Sequence, residues 1–181
     1  TGLTVLFGAF LSYLASSELI IDQTFGLEPW FPVFFGGIAL VMLVAMLVNG
    51  RFVERIGLSA LLRITFVASM VSVATMLIVA LVTGGEPPFW LFVIVISAVL
   101  FFQQMLIPNI NSAAMQPLAE VAGTGTAILG MVSGTLGAVI GELINRQFDG
   151  TITPLALGFV VSGAIAITAW HRADHLATSR P

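Results

Sequence analysis

The sequence predicts an all-α membrane protein, a six-transmembrane-helix bundle, on three observations. Hydrophobic residues make up 58% of the 181 positions and charged residues 8%, too apolar a mixture for a soluble domain of this length. Six segments, at 1–17, 29–50, 64–85, 87–119, 121–141 and 150–171, contain no Asp, Glu, Lys or Arg. Each is close to or above the roughly 17 to 25 residues that a spanning helix needs. Short turn signals separate them, with no long linker or low-complexity stretch, so residues 1–181 read as one domain in the lipid bilayer.

The first helix is expected at about 2–21 and the second at 30–49, with the breaker-rich run from Gly26 to Pro32 between them. The third is expected at 59–82, stopped by Gly84-Gly85-Glu86-Pro87-Pro88, and the fourth at 88–114. The fifth, at 123–145, is followed by Asp149-Gly150. Pro154 opens the sixth, at 154–171, where a missing backbone N–H is tolerated.

Orientation follows from the basic residues, because cytoplasmic loops retain Lys and Arg. Arg51, Arg55 and Arg63 lie between helices two and three, and Arg172 and Arg180 follow helix six; Arg146 stands alone on the other side. Both ends of this segment are therefore expected in the cytoplasm, with Asp22, Glu28, Glu86 and Asp149 outside. Cysteine is absent and both histidines, His171 and His175, lie in the polar tail, so no metal or other cofactor is expected. The chain starts without Met inside an apolar run, lacking the basic region of a signal peptide, and reads as a fragment.

Two helices carry patterned small or polar residues. On helix five, Gly123, Ala127, Gly130, Gly134, Gly137 and Gly141 advance by 4, 3, 4, 3 and 4, making one straight stripe. In lipid such a stripe permits close backbone approach, either as fixed packing or as a surface on which one helix bundle rocks against another. On helix four, Ser97, Phe101, Gln104, Pro108 and Asn111 share a face, with Gln103 alongside. Amides inside a membrane bond neighbouring helices or line a water-filled cavity, and Pro108 frees a carbonyl by withholding its N–H. The mixture of Phe and amide suits an amphipathic organic ligand.

The stretch "NGRFVERIGLSALLR" places Gly50, Glu54, Arg55 and Gly57 in what reads as a short, tightly turning loop with paired charge. Glu18, 17 steps along helix one at about 1.5 Å each, falls close to the outer rim, about 25 Å along. Behind it on the same face come Leu14, Leu11 and Phe7, all apolar, whereas Tyr13 and Ser17 lie on another side. A carboxylate at the interface snorkels cheaply, so Glu18 marks either the membrane edge or an outer-gate acid. Glu142 occupies the same position on helix five and can pair with Arg146, four residues on.

Together these segments resemble the C-terminal half of a major facilitator superfamily transporter, of the bicyclomycin-resistance-type drug/proton antiporters. The strongest stretch is "LIPNINSAAMQPLAEVAGTGTAILG": Ile107-Pro108-Asn109 resembles that family's Leu-Pro-Asn run, Pro117 its later proline, and Ala122 to Ala127 its Ala-Gly-Thr-Ala-Ser-Ala opening of the eleventh helix. Gly50, Glu54, Arg55 and Gly57 are similar to the superfamily's short loop signature between the eighth and ninth helices. Two departures stand out: Leu58-Ser59 replaces the usual basic pair after the loop's second glycine, and Ser17-Glu18 stands where the seventh helix usually has Ser-Pro.

The resemblance implies one half of a twelve-helix major facilitator fold in a bacterial inner membrane, with the N-terminal six-helix half as partner. It implies proton antiport by alternating access, export of drugs or small amphipathic solutes, and a substrate cavity bordered by Tyr13 and Ser17 on helix one and by the helix-four face. Coupling carboxylates of such transporters generally lie in the N-terminal half, which leaves Glu18 a role in cation preference at the outer gate. A sugar or metabolite exporter of the same superfamily, or a non-transporting membrane scaffold joined through the glycine stripe, remain alternatives. An intramembrane enzyme would need Ser and His facing each other in the bilayer, and both histidines lie outside it. No phosphate-cradling loop is present, and no nucleic-acid partner is expected.

Overall fold

In the computed structural model, residues 2–115 and 122–178 are described; Pro117 and Arg180 lie outside them. The helices are α1 (Gly2–Leu19), α2 (Phe31–Ile56), α3 (Leu58–Val82), α4 (Phe89–Met115), α5 (Ala122–Asn145) and α6 (Thr153–Thr178). A π-helical turn, Ile20–Thr24, extends α1, and a 3-10 turn, Glu28–Trp30, precedes α2. All six helices are long and apolar enough to cross a bilayer.

Apolar runs explain where the helices cross, but charges mark the edge of the membrane and not the end of a helix. Thus α2 does not stop near 49: it continues through Arg51, Glu54 and Arg55 to Ile56, and the sixth helix runs past 171 to Thr178. A helix satisfies its own backbone in water as well as in lipid, so it ends only where the backbone changes course. For α2 that place is Gly57, with φ 80° and ψ 161°, after which α3 begins at once.

α1 packs most extensively on α5 and then on α6; α3 packs on α4 and α6, and α2 joins through α4. The order α5, α1, α4, α2 forms one layer, with α6 and α3 behind it. The layer's two flanks are its least buried members: 17% of the spanning window of α2 and of α5 is buried, against 61% for α1. Because lipid tails are as apolar as Leu, these helices are held by close contact and hydrogen bonds more than by removal of apolar surface from water.

At one end, three turns are stitched together. The Thr24 hydroxyl donates to the Gly150 carbonyl at 2.8 Å, and the Ile152 N–H donates to the Gly85 carbonyl at 3.0 Å. Gly85 has φ 87°, and a Cβ there would lie 2.5 Å from Thr151 Cβ. This end carries Asp22, Glu28, Glu86 and Asp149 and is the acidic end; the Gly57 turn, with Arg51, Arg55 and Arg63 nearby, is the basic end. Gly85→Ala should lower stability by about 2 to 4 kcal/mol, from left-handed backbone strain plus overpacking, read as thermal unfolding of purified protein. Gly50→Ala, whose added Cβ meets nothing within 4 Å, should leave stability unchanged or raised.

Candidate functional site

The α4 helix has two polar faces with different fates. Phe92, Ile96, Val99, Leu100, Gln103 and Leu106 turn into the bundle and are buried. Ser97, Phe101, Gln104 and Asn111 are half-buried and Pro108 is exposed, so they form a stripe beside the packed face that the bundle itself leaves open. Pro108 removes the N–H that would reach the Gln104 carbonyl, so the backbone of this stripe is polar as well.

On either side of Pro108, two amides tie α4 to its neighbours. Gln103, 2% exposed, donates from Nε2 to the Leu6 carbonyl of α1 at 2.6 Å, and its Oε1 has no partner. Asn109 donates from Nδ2 to Asn49 Oδ1 of α2 at 2.6 Å and to the Met105 carbonyl at 2.8 Å; the Asn49 amide returns a weaker bond at 3.5 Å. Buried amides left unpaired in lipid cost several kcal/mol each, so these bonds fix the register of α1, α4 and α2. The pattern of the sequence singles out the Gln104 stripe but misses Asn49 and Asn109, because a period locates faces relative to one another without saying which faces inward.

Tyr13 and Ser17 do not join the open stripe. Both are fully enclosed in the bundle, Tyr13 at 0% exposure with an unpartnered hydroxyl, and Ser17 with its hydroxyl donating to the Leu14 carbonyl at 3.0 Å. Glu18 is exposed on the last full α-helical turn of α1, beside exposed Leu14 and Leu19. Glu142 is exposed too, and Arg146 Nε donates to its Oε1 at 3.0 Å. At such exposure the pair is worth at most about 1 kcal/mol.

The glycine stripe of α5 divides in two. A Cβ on Gly141 would sit 3.0 Å from both the Gly8 carbonyl oxygen and the Ser12 nitrogen, and one on Gly137 would lie 3.3 Å from the Gly8 nitrogen. Gly123, Gly130 and Gly134 meet nothing within 4 Å, and Ala127 is exposed. The mate of the packed half is a second stripe, Thr4, Gly8 and Ser12, running parallel along α1. It is closed at one end by the Thr4–Ser133 hydroxyl pair at 3.4 Å and at the other by the Ser12 hydroxyl donating to Asn145 Oδ1 at 3.4 Å. Its spacing of four was the available signal.

The segment expected as a charge-pairing loop is not a loop. Gly50, Glu54 and Arg55 belong to the last turns of α2 and only Gly57 turns the chain; among the described residues no ion pair involves Glu54. The residues project from the basic end in helical order. At the acidic end, α2 and α4 flank a groove of about 630 Å³ whose lower wall reaches Ser97, the first residue of the open stripe.

Six apolar membrane-length helices, small-residue seams and one half-open polar stripe give the make-up of a multi-pass membrane protein. Over 166 residues, 91% of the chain, the sequence is 23% identical to a protein of Haemophilus influenzae named bicyclomycin resistance protein homolog, of which it covers 41%. Over 164 residues, 90% of the chain, it is 26% identical to a Bacillus subtilis protein named as the uncharacterized MFS-type transporter YdgK, of which it covers 40%. The chain thus spans about two-fifths of the length of the curated relatives it matches. No family model and no solved structure matches it.

The divided stripe makes a paired prediction. Gly141→Leu should separate α1 from α5 and lower thermal stability by about 3 kcal/mol or more, because backbone has no rotamer with which to yield. Gly134→Leu should leave the stability of the six-helix segment unchanged; in the full-length protein it should reduce transport if the open half of the stripe meets another bundle.

Proposed function

We propose that this chain is the C-terminal bundle of a secondary transporter that exports drugs or small amphipathic solutes across a bacterial inner membrane. The observation that carries the reading is the α4 stripe: Ser97, Phe101, Gln104, Pro108 and Asn111, partly open on a spanning helix that is otherwise packed. A half-exposed amide and a freed carbonyl beside an aromatic ring are costly against lipid, and useful against a solute with polar and aromatic parts.

In this reading a second six-helix half covers the layer α5, α1, α4, α2, and the solute path runs between the halves. The lightly buried flanks α2 and α5, and the open glycines of α5, support that arrangement. Alternating access is the rocking of one half on the other, with influx of protons as the energy source; each proton contributes about 2.3 kcal/mol per 100 mV. The basic end faces the cytoplasm by the positive-inside rule, which puts Glu18 and Glu142 at the outer gate. Arg146 pairs with Glu142, so Glu18 is the stronger contributor to cation preference.

The test is a panel of drug-susceptibility measurements on cells expressing the full-length gene, with and without a protonophore. Resistance that the protonophore abolishes supports proton-driven export; no resistance to any compound, with the protein present in the membrane, overturns it. Within the panel, Gln104→Ala should shift the relative resistance to different compounds by roughly 2- to 10-fold at equal expression, the scale of one hydrogen bond. A uniform loss of folded protein would instead make Gln104 a packing residue. Glu18→Gln should weaken export of cationic compounds and leave neutral ones and the pH profile unchanged; equal effects on both classes remove Glu18 from selectivity.

A further inference from the structure

The groove between α2 and α4 at the acidic end has a size and a lining of its own. Its volume, about 630 Å³, is that of a site for a drug-sized molecule. Four aromatic rings wall it: Trp30 and Phe34 from the α2 side, Phe89 and Trp90 from α4. Phe34 is buried and held, with ring centroids 6.0 Å from both Phe89 and Phe92, and Phe25 braces Phe89 at 5.4 Å. Trp30 and Trp90 are 60% and 74% exposed, and Trp90 packs edge-on against Phe89 with ring centroids 5.3 Å apart. Gly37 leaves a gap in the wall, since a Cβ there meets nothing within 4 Å.

No charged side chain lines this trough, yet acids rim it. Glu28 follows Leu27 and precedes Trp30 in the same turn, and Glu86 stands three residues before Phe89; both are exposed. Neither α2 nor α4 offers a basic residue nearby: the first is Arg51, fourteen positions beyond Gly37, about 21 Å along the helix. Arg146, at the same end, is engaged by Glu142. Aromatic faces attract cations, and unopposed carboxylates at the mouth concentrate them. The same carboxylates repel a phosphate head group, which argues against a lipid as occupant.

We propose that this groove is a binding site for amphipathic organic cations with an aromatic body, and that Trp30, Trp90, Glu28 and Glu86 select the charge. It deepens the transporter reading and rests on it in one respect: the groove's inner end at Ser97 joins the open α4 stripe, so a cation bound here stands at the mouth of that path.

The experiment is equilibrium binding to the purified full-length protein, followed by ligand fluorescence, with N-methylacridinium as the cation and acridine at alkaline pH as its uncharged counterpart. The cation should bind several-fold more tightly than acridine. Trp30→Leu and Trp90→Leu should each weaken the cation by roughly 2- to 30-fold, the range of one cation–π contact. The double variant Glu28→Gln with Glu86→Gln, both on the surface and safe for folding, should weaken the cation and its salt sensitivity and leave acridine unaltered. Gly37→Leu, which fills the gap, should abolish both. Equal affinity for the two ligands, or cation binding untouched by all of these changes, as when a helix from the rest of the chain fills the groove, overturns the proposal. Binding is scored without flux, so a protein that binds the cation yet exports nothing overturns the transporter reading alone. One that exports drugs while every groove variant binds normally overturns the groove alone.

Discussion

Everything in this bundle depends on the contact of one backbone with another. Where Gly8 of α1 meets Gly137 and Gly141 of α5, the two backbones come so close that a Cβ on Gly141 would lie 3.0 Å from the Gly8 carbonyl oxygen, with Phe7, Leu11 and Ile140 packed around the contact. In water such closeness would be one stabilising feature among many; in lipid, where apolar surface gains little by leaving its surroundings, it is a main source of cohesion. Thr4–Ser133 and Ser12–Asn145 then close the seam with hydroxyl bonds that a lipid tail cannot replace. With α1 fixed to α5, α1 becomes the spine on which α6 packs, and to which α4 is tied by a single amide.

That economy of contact explains why the bundle is open where it is. α4 is anchored to α1 by Gln103 and to α2 by Asn109, one on each side of Pro108. These two bonds consume the amides that the bundle needs and leave Gln104 and Asn111 over. The flanking helices contribute the same asymmetry: α2 buries little beyond Phe34, Ile38 and Ala45, and a Cβ added at Gly123, Gly130 or Gly134 of α5 would meet nothing within 4 Å. The molecule is well packed on its back layer and at its spine, and unsatisfied along its front.

Much of this was legible in the sequence. Six uncharged runs bounded by breakers place six helices, because no other backbone arrangement of that length tolerates lipid. The extensions of α2 to Ile56 and of α6 to Thr178 were not legible, since a charge tells where a helix leaves the membrane and says nothing of where its hydrogen bonds stop. The α4 stripe follows from helical period alone; that Gln103 and Asn109 turn inward while Gln104 does not requires knowing the neighbours. The same limit hid the partner of the α5 glycines. Thr4, Gly8 and Ser12 repeat every four residues in plain view, yet three small or polar residues on an apolar helix do not name the helix that they meet. Tyr13 and Ser17, on a different face from Glu18, are buried in the bundle, and Tyr13 belongs to the core cluster built with α3, α4 and α6.

The stitched turns at the acidic end have a mechanical meaning. Gly150 is bonded to Thr24, and Gly85 to Ile152, so the α1–α2, α3–α4 and α5–α6 hairpins are clasped at their tips by bonds between residues far apart in the chain. A pull on any one tip is shared with the others. Drawn out of a membrane from its C-terminal end, such a bundle would resist first at this clasp and then yield by hairpins.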